Sequence, residues 1–155
     1  MRELIENWVH TDLSVVDKDA GFAPCPFAKK ALHDGKLKVV ECLDQEDLWK
    51  TVVAQCKKLT SKHSVVICVE ENAEQPYDQV EAACVVMNEW FAANKIDLWL
   101  LAFQTDFTMV FIQRLSELDE ASKKLEKMGY YENYTKEDFI TLILTRRRKR
   151  ENGWS

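Results

Sequence analysis

Val65-Val66-Ile67-Cys68-Val69 is a continuous apolar run, closed by His63-Ser64 before it and Glu70-Glu71 after it. A short run of this kind, with no polar residue at alternate positions, predicts a strand buried on both faces of a sheet. Upstream, Leu37-Lys38-Val39-Val40-Glu41-Cys42 alternates as a half-covered strand does. Between the two, Asp44 can cap a helix running to about Leu59, with Leu48, Trp49, Val52, Val53, Cys56 and Leu59 on one face. Downstream, residues 75–93 form the longest helical pattern. Pro76 stands at its start, and Val80, Ala83, Cys84, Met87, Trp90 and Phe91 lie on its predicted buried side.

Further out, Asp97 to Phe103 and Thr108 to Arg114 read as two strands joined by Gln104-Thr105-Asp106-Phe107, a hairpin without a turn glycine. Ser116 can cap a following helix with Asp119 at its third position, and Gly129 ends it. At the front, Leu4 to Val9 suit one or two helical turns anchored by Trp8. Residues 17–26 are irregular, and Phe27 to Leu32 form a short helix with Pro26 in its first turn and Gly35 at its stop. In Asp138 to Thr145 the β-branched residues Ile140, Thr141, Ile143 and Thr145 favour a strand, while Thr135 followed by Asp138 suits a helix start. The strand is the preferred reading.

The order β-α-β-α-β-β-α gives an α+β fold: a single-domain mixed sheet of four or five strands, covered by helices mainly on one face. Residues 1–145 are expected to form that domain, and residues 146–155 a basic C-terminal tail led by Arg146-Arg147-Arg148-Lys149-Arg150.

The 155 residues match one domain of common size, and an apolar fraction of 46% with 30% charged residues excludes wholesale disorder. A net charge of −5 argues against a general nucleic-acid binder, since neutralising phosphates takes a surplus of Lys and Arg. The five cysteines, Cys25, Cys42, Cys56, Cys68 and Cys84, are irregularly spaced, and most fall in apolar runs. No Cys-x-x-Cys occurs, and His10, His33 and His63 lie far from any paired ligand, so no metal site is expected and no cofactor is indicated. Reduced cysteines, no signal-like opening and no span of membrane length point to a cytoplasmic protein with no membrane partner.

Gly21-Phe22-Ala23-Pro24-Cys25-Pro26-Phe27-Ala28-Lys29-Lys30 is the stretch that can carry chemistry. A thiol at a helix start faces free backbone N–H groups and the positive end of the dipole, and Lys29 and Lys30 add charge. Each favours a thiolate, which is the nucleophilic form of cysteine. The competing reading is a buried cysteine in a proline-stiffened turn, with Phe22 and Phe27 plugging the core.

Cys25-Pro26-Phe27-Ala28 followed by a short helix and a strand resembles the opening of an uncharacterised bacterial protein family. That family has an N-terminal helix with a Trp and then a Leu-Cys-Pro-Phe-Ala-Lys motif. Trp8, Cys25 to Lys29, Leu37 to Val40, Val65 to Val69 and Ala102-Phe103 hold the matching places here. The likeness covers the first two-thirds of the chain. Beyond it, the family's Asn-Arg-Ser-Pro-Tyr-Pro stretch is reduced to Gln113-Arg114-Leu115-Ser116. The resemblance implies the architecture and draws attention to Cys25, but names no reaction. The Cys-Pro-Phe turn is also similar to that of glutaredoxins and glutathione transferases, which implies a strand running into the cysteine. Asp12 to Val16 is only a faint candidate for it, separated from Cys25 by an irregular loop. Ala28 replaces a second thiol, leaving monothiol chemistry.

Two functional readings follow. The first is a thiol-centred small-molecule enzyme, or degenerate enzyme, with Cys25 as nucleophile. Lys29 would raise its thiolate fraction, Arg114 would steer an anionic substrate, and Phe27, Gln104 and Asp106 would border the substrate if the hairpin packs beside the first strand. The second is a non-catalytic module that docks a protein partner through a sheet edge or the basic tail. Glu70, Glu71, Asn72 and Asp78 follow the buried strand, where acidic groups either serve a site or solvate a loop. Trp49, Trp90, Trp99, Phe91 and Phe103 read as core.

Overall fold

The computed structural model describes residues 1–13, 25–42, 47–71 and 76–153. The expected cap Asp44, Asn72, Gln75, Val15, Val16, the irregular stretch up to residue 24 and Trp154 lie outside the described residues. At the centre is a four-stranded mixed sheet of β1 (Leu37–Glu41), β2 (Val65–Glu70), β3 (Trp99–Gln104) and β4 (Thr108–Gln113), ordered β1-β2-β4-β3. β1 and β2 are parallel, with Leu37 opposite Val65, while β4 runs antiparallel to both β2 and β3. β4 is therefore a reversed strand inserted between parallel β2 and β3.

The side-chain alternation of these strands divides the core in two. Val65, Ile67, Val69, Met109 and Phe111 point to a face covered by α1 (Arg2–Trp8), its π-helical continuation Val9–Leu13, and α2 (Pro26–His33). Val66, Cys68, Val110, Ile112 and Leu100 point to the other, covered by α3 (Leu48–Lys58) and α4 (Tyr77–Ala93). The strand predicted from residues 65–69 is buried on both faces, as read. The expectation of helices mainly on one face is corrected: both faces are clad, because the crossover helices α3 and α4 take one side and the short N-terminal helices the other.

Local chemistry sets the boundaries. Asp47 caps α3 by accepting from the Trp49 amide at 2.9 Å. α2 ends on Gly35 at φ +67, with the Lys36 amide donating to the Ala31 carbonyl and the Gly35 amide to that of Leu32. α5 (Leu115–Lys127) closes in the same way on Gly129. Its start departs from the expectation. The Ser116 amide donates to Asp97 at 2.7 Å, so a carboxylate 19 residues upstream caps this helix in place of Ser116 itself.

α4 also seals the edge of the sheet. The Asn88 side chain accepts from the Leu100 amide at 2.7 Å and donates to its carbonyl at 2.9 Å, and the Tyr77 hydroxyl donates to the Ala102 carbonyl at 3.0 Å. These bonds replace a strand neighbour that β3 lacks, and a covered edge resists pairing with another chain.

The C-terminal quarter overturns two expectations. Residues 138–145 are helical: α6 (Lys136–Phe139), capped by Thr135, continues through a π-helical turn, Ile140–Leu144. Residues 146–150 belong to α7 (Thr145–Gly153), not to a frayed tail. Arg146 is buried and its Nε donates to Asp119 of α5 at 3.0 Å, while Arg147 donates to Ser122 and Glu126. Burial of a guanidinium is tolerable only with such partners.

Candidate functional site

Cys25 holds the place the sequence assigns it, at the N-cap of α2 with Pro26 following. The amides of Ala28 and Phe27 and the Arg146 guanidinium do favour its anion. Burial outweighs all of them. The residue is 5% exposed, inside the cluster of Ile5, Val9, Ala28, Ala31 and Leu37, and desolvation pushes the thiol above its ordinary value. Of the two readings of this position, burial favours the cysteine packed in a proline-stiffened turn: a helix dipole contributes little beside the cost of an unsolvated sulfur anion. Burial pushes the Tyr131 and Tyr134 hydroxyls up as well, and the Tyr131 ring meets those of Tyr130 and Tyr134 edge-on and that of Phe139 at a tilt.

The other anticipated residues do not converge on Cys25. Lys29 is exposed on the outside of α2. Arg114 donates to the carbonyls of Thr60 and His63 and pairs with Glu117 at 3.5 Å, tying the α3–β2 loop to the start of α5. Gln104 and Asp106 are exposed at the turn of the β3–β4 hairpin. That turn is the far end of β4 from Arg114, about five residues or roughly 17 Å along the strand. One pocket cannot contain both.

Phe27 does face an opening. A groove of about 450 Å³ runs between α2 and α5. One end is apolar, walled by Pro26, Phe27, Leu125 and Met128; the other is polar, bordered by Asp34, Lys36, Ser64, Glu117 and Glu120. Met128 is 79% exposed at the apolar end. At the polar end, Oε1 of Glu117 holds Arg114, while its Oε2 is buried and unbonded among the described residues. Lys30 and Lys124 on the walls are paired within their own helices, to Asp34 and Glu120.

The α5 side of this groove escaped the sequence reading. Its signal is present, since Leu118, Ala121, Leu125 and Met128 recur at helical spacing and extend the apolar stripe beyond what one core contact needs. Among the described residues no three metal-ligating side chains cluster, and no helix is long and apolar enough to cross a membrane. Glu71 and Asp78 are exposed, and Glu70 sits half-buried at the end of β2. No protein-family model, curated protein or solved structure matches the chain.

Proposed function

We propose that the protein is a non-catalytic binding module whose ligand is a short amphipathic peptide segment seated between α2 and α5. The carrying observation is the open, two-ended groove. Its lining of Pro26, Phe27, Ala31, Ala121 and Leu125 offers apolar contact. The exposed thioether of Met128 adds an adaptable contact of the kind peptide-binding surfaces use. The polar lining includes the Lys36 ammonium as a donor and the exposed Glu120 carboxylate as an acceptor. A peptide amide carries the complementary donor and acceptor. Two helices flanking a trough two turns long suit a segment of similar length laid along them.

Kinship with the bacterial family sharing the Cys-Pro-Phe-Ala turn remains part of this proposal, with the turn serving as a rigid wall of the groove. The thiol-centred enzyme is the second reading, and it would require Cys25, 5% exposed, to be reached by a substrate.

The test is selection of peptides from a random display library on the immobilised protein, followed by titration of the enriched peptides against wild type and Met128→Glu. Enriched peptides should bind wild type and lose at least tenfold in affinity for the variant. Absence of enrichment, or equal binding to Met128→Glu, removes the proposal.

A further inference from the structure

α4 is apolar nearly all round. Its only charged residues are Asp78, Glu81 and Glu89, and it has no basic residue. The inward side is accounted for by Val80, Cys84, Asn88 and Phe91. The outward side nevertheless presents Val85 at 54%, Val86 at 68% and Trp90 at 57% exposure, with Ala82 and Ala93 also exposed. A helix that is hydrophobic on every side belongs in an interior, and contiguous exposed apolar surface marks an interface. Trp90, read from the sequence as core, is the centre of this patch.

We infer that α4 is the interface of a homodimer, in which two copies of the helix pack antiparallel about a two-fold axis at Val86. Gln79, Ala82, Val86, Trp90 and Ala93 are all exposed and follow one another at spacings of three, four, four and three, a stripe along one side of the helix that reads the same in both directions from Val86. An isologous interface must be complementary to itself. The antiparallel arrangement meets that demand in shape and in charge. With Val86 against its own copy, the indole of Trp90 falls over the partner's Ala82, and Ala82 receives the partner's Trp90, so each large side chain meets a small one. Asp78 lies at the N-terminal end of the seam, and the exposed Lys95 follows its C-terminal end, so each acidic end meets the partner's basic end. A parallel arrangement would instead oppose Trp90 to Trp90 and Asp78 to Asp78. The contact, about 25 Å long, is at the small end of stable interfaces, so association in the micromolar range is expected.

Sedimentation velocity of the full chain, from low to high micromolar concentration, should show monomer and dimer in exchange. Val86→Glu should weaken association on the order of 30-fold, and Trp90→Ala should weaken it as well, both keeping the wild-type circular dichroism. Met128→Glu, in the α2–α5 groove, should leave the dimer intact. Mild copper-phenanthroline oxidation should cross-link Val86→Cys to itself and leave Gln79→Cys uncross-linked. A wild-type chain that stays monomeric throughout, a dimer that survives Val86→Glu, or self-cross-linking through Gln79→Cys would each overturn the inference.

Discussion

Cys25 and Arg146 lie within electrostatic reach of one another, yet the fold treats their charges in opposite ways. Both are buried. Among the described residues the thiol has no formal counter-charge bonded to it, and losing water keeps it protonated. The guanidinium cannot shed its proton, so the fold supplies Asp119, itself 2% exposed, at 3.0 Å, with Arg150 as a second cation at 3.9 Å from the same carboxylate. The contrast shows that a buried ionisable group is settled by what it can give up. A thiol gives up its charge, and an arginine recruits an element of structure, here the helix α7.

The largest effect should come from breaking the ion pair. Arg146→Ala leaves Asp119 buried without its nearest partner and should cost about 3–5 kcal/mol in denaturant unfolding. Replacing both residues together by Arg146→Met and Asp119→Leu should recover most of that loss, and a double variant as unstable as the single one would deny that the cost is an uncompensated charge.

Next in size is a test of sign at Cys25. Aspartate at an open helix N-cap stabilises by about 1 kcal/mol, whereas in this buried position Cys25→Asp should destabilise by about 2 kcal/mol or more. A gain in stability would place the sulfur at the surface.

Three further thiols, half-buried Cys56 and buried Cys68 and Cys84, extend the comparison to pH. Desolvation pushes Cys56 up to about 11, and Cys68 and Cys84 up to about 12. The unfolded chain loses these protons from about pH 9, while the native chain retains them. Fewer protons are then bound in the unfolded state, so stability is whole below that pH and falls as pH rises toward 11 to 12. The melting temperature should decline over this window, and less steeply in Cys68→Ala. The smallest effect is expected at Lys29. Lys29→Ala should change stability by less than about 0.5 kcal/mol and leave the Cys25 alkylation rate unaltered.

Where a pattern was local, the fold was legible. Val65 to Val69 announced the central strand, and Gly35 and Gly129 announced two helix ends, because those signals depend on residues a few positions apart. Residues 138–145 are helical despite their β-branched side chains because, among the described residues, the sheet has no place for another strand beside β3. The outward groups of Leu100 and Ala102 are already taken by Asn88 and Tyr77. Arg146 read as solvated because its partner is 27 residues away. Cys25 was placed correctly on its helix, but its burial depends on α1 and its neighbours closing over it, which no spacing records. The groove needed α5 to lie beside α2, and only Phe27 of its lining had been singled out as a site residue.

The reversed strand at the heart of the sheet carries a consequence for biosynthesis. Until residues 108–113 leave the ribosome, β2 has no neighbour on one side and β3 has no strand to join, so two hydrogen-bonding edges stay open together. Completion is a late wedging step between segments already made: β4 meets β3 across a tight turn but must close the long connection back to β2, and such non-local pairing is slow to form. A chain truncated after Phe107 and released should therefore be a strong client for chaperones, and one released after Gln113 should relieve most of that demand.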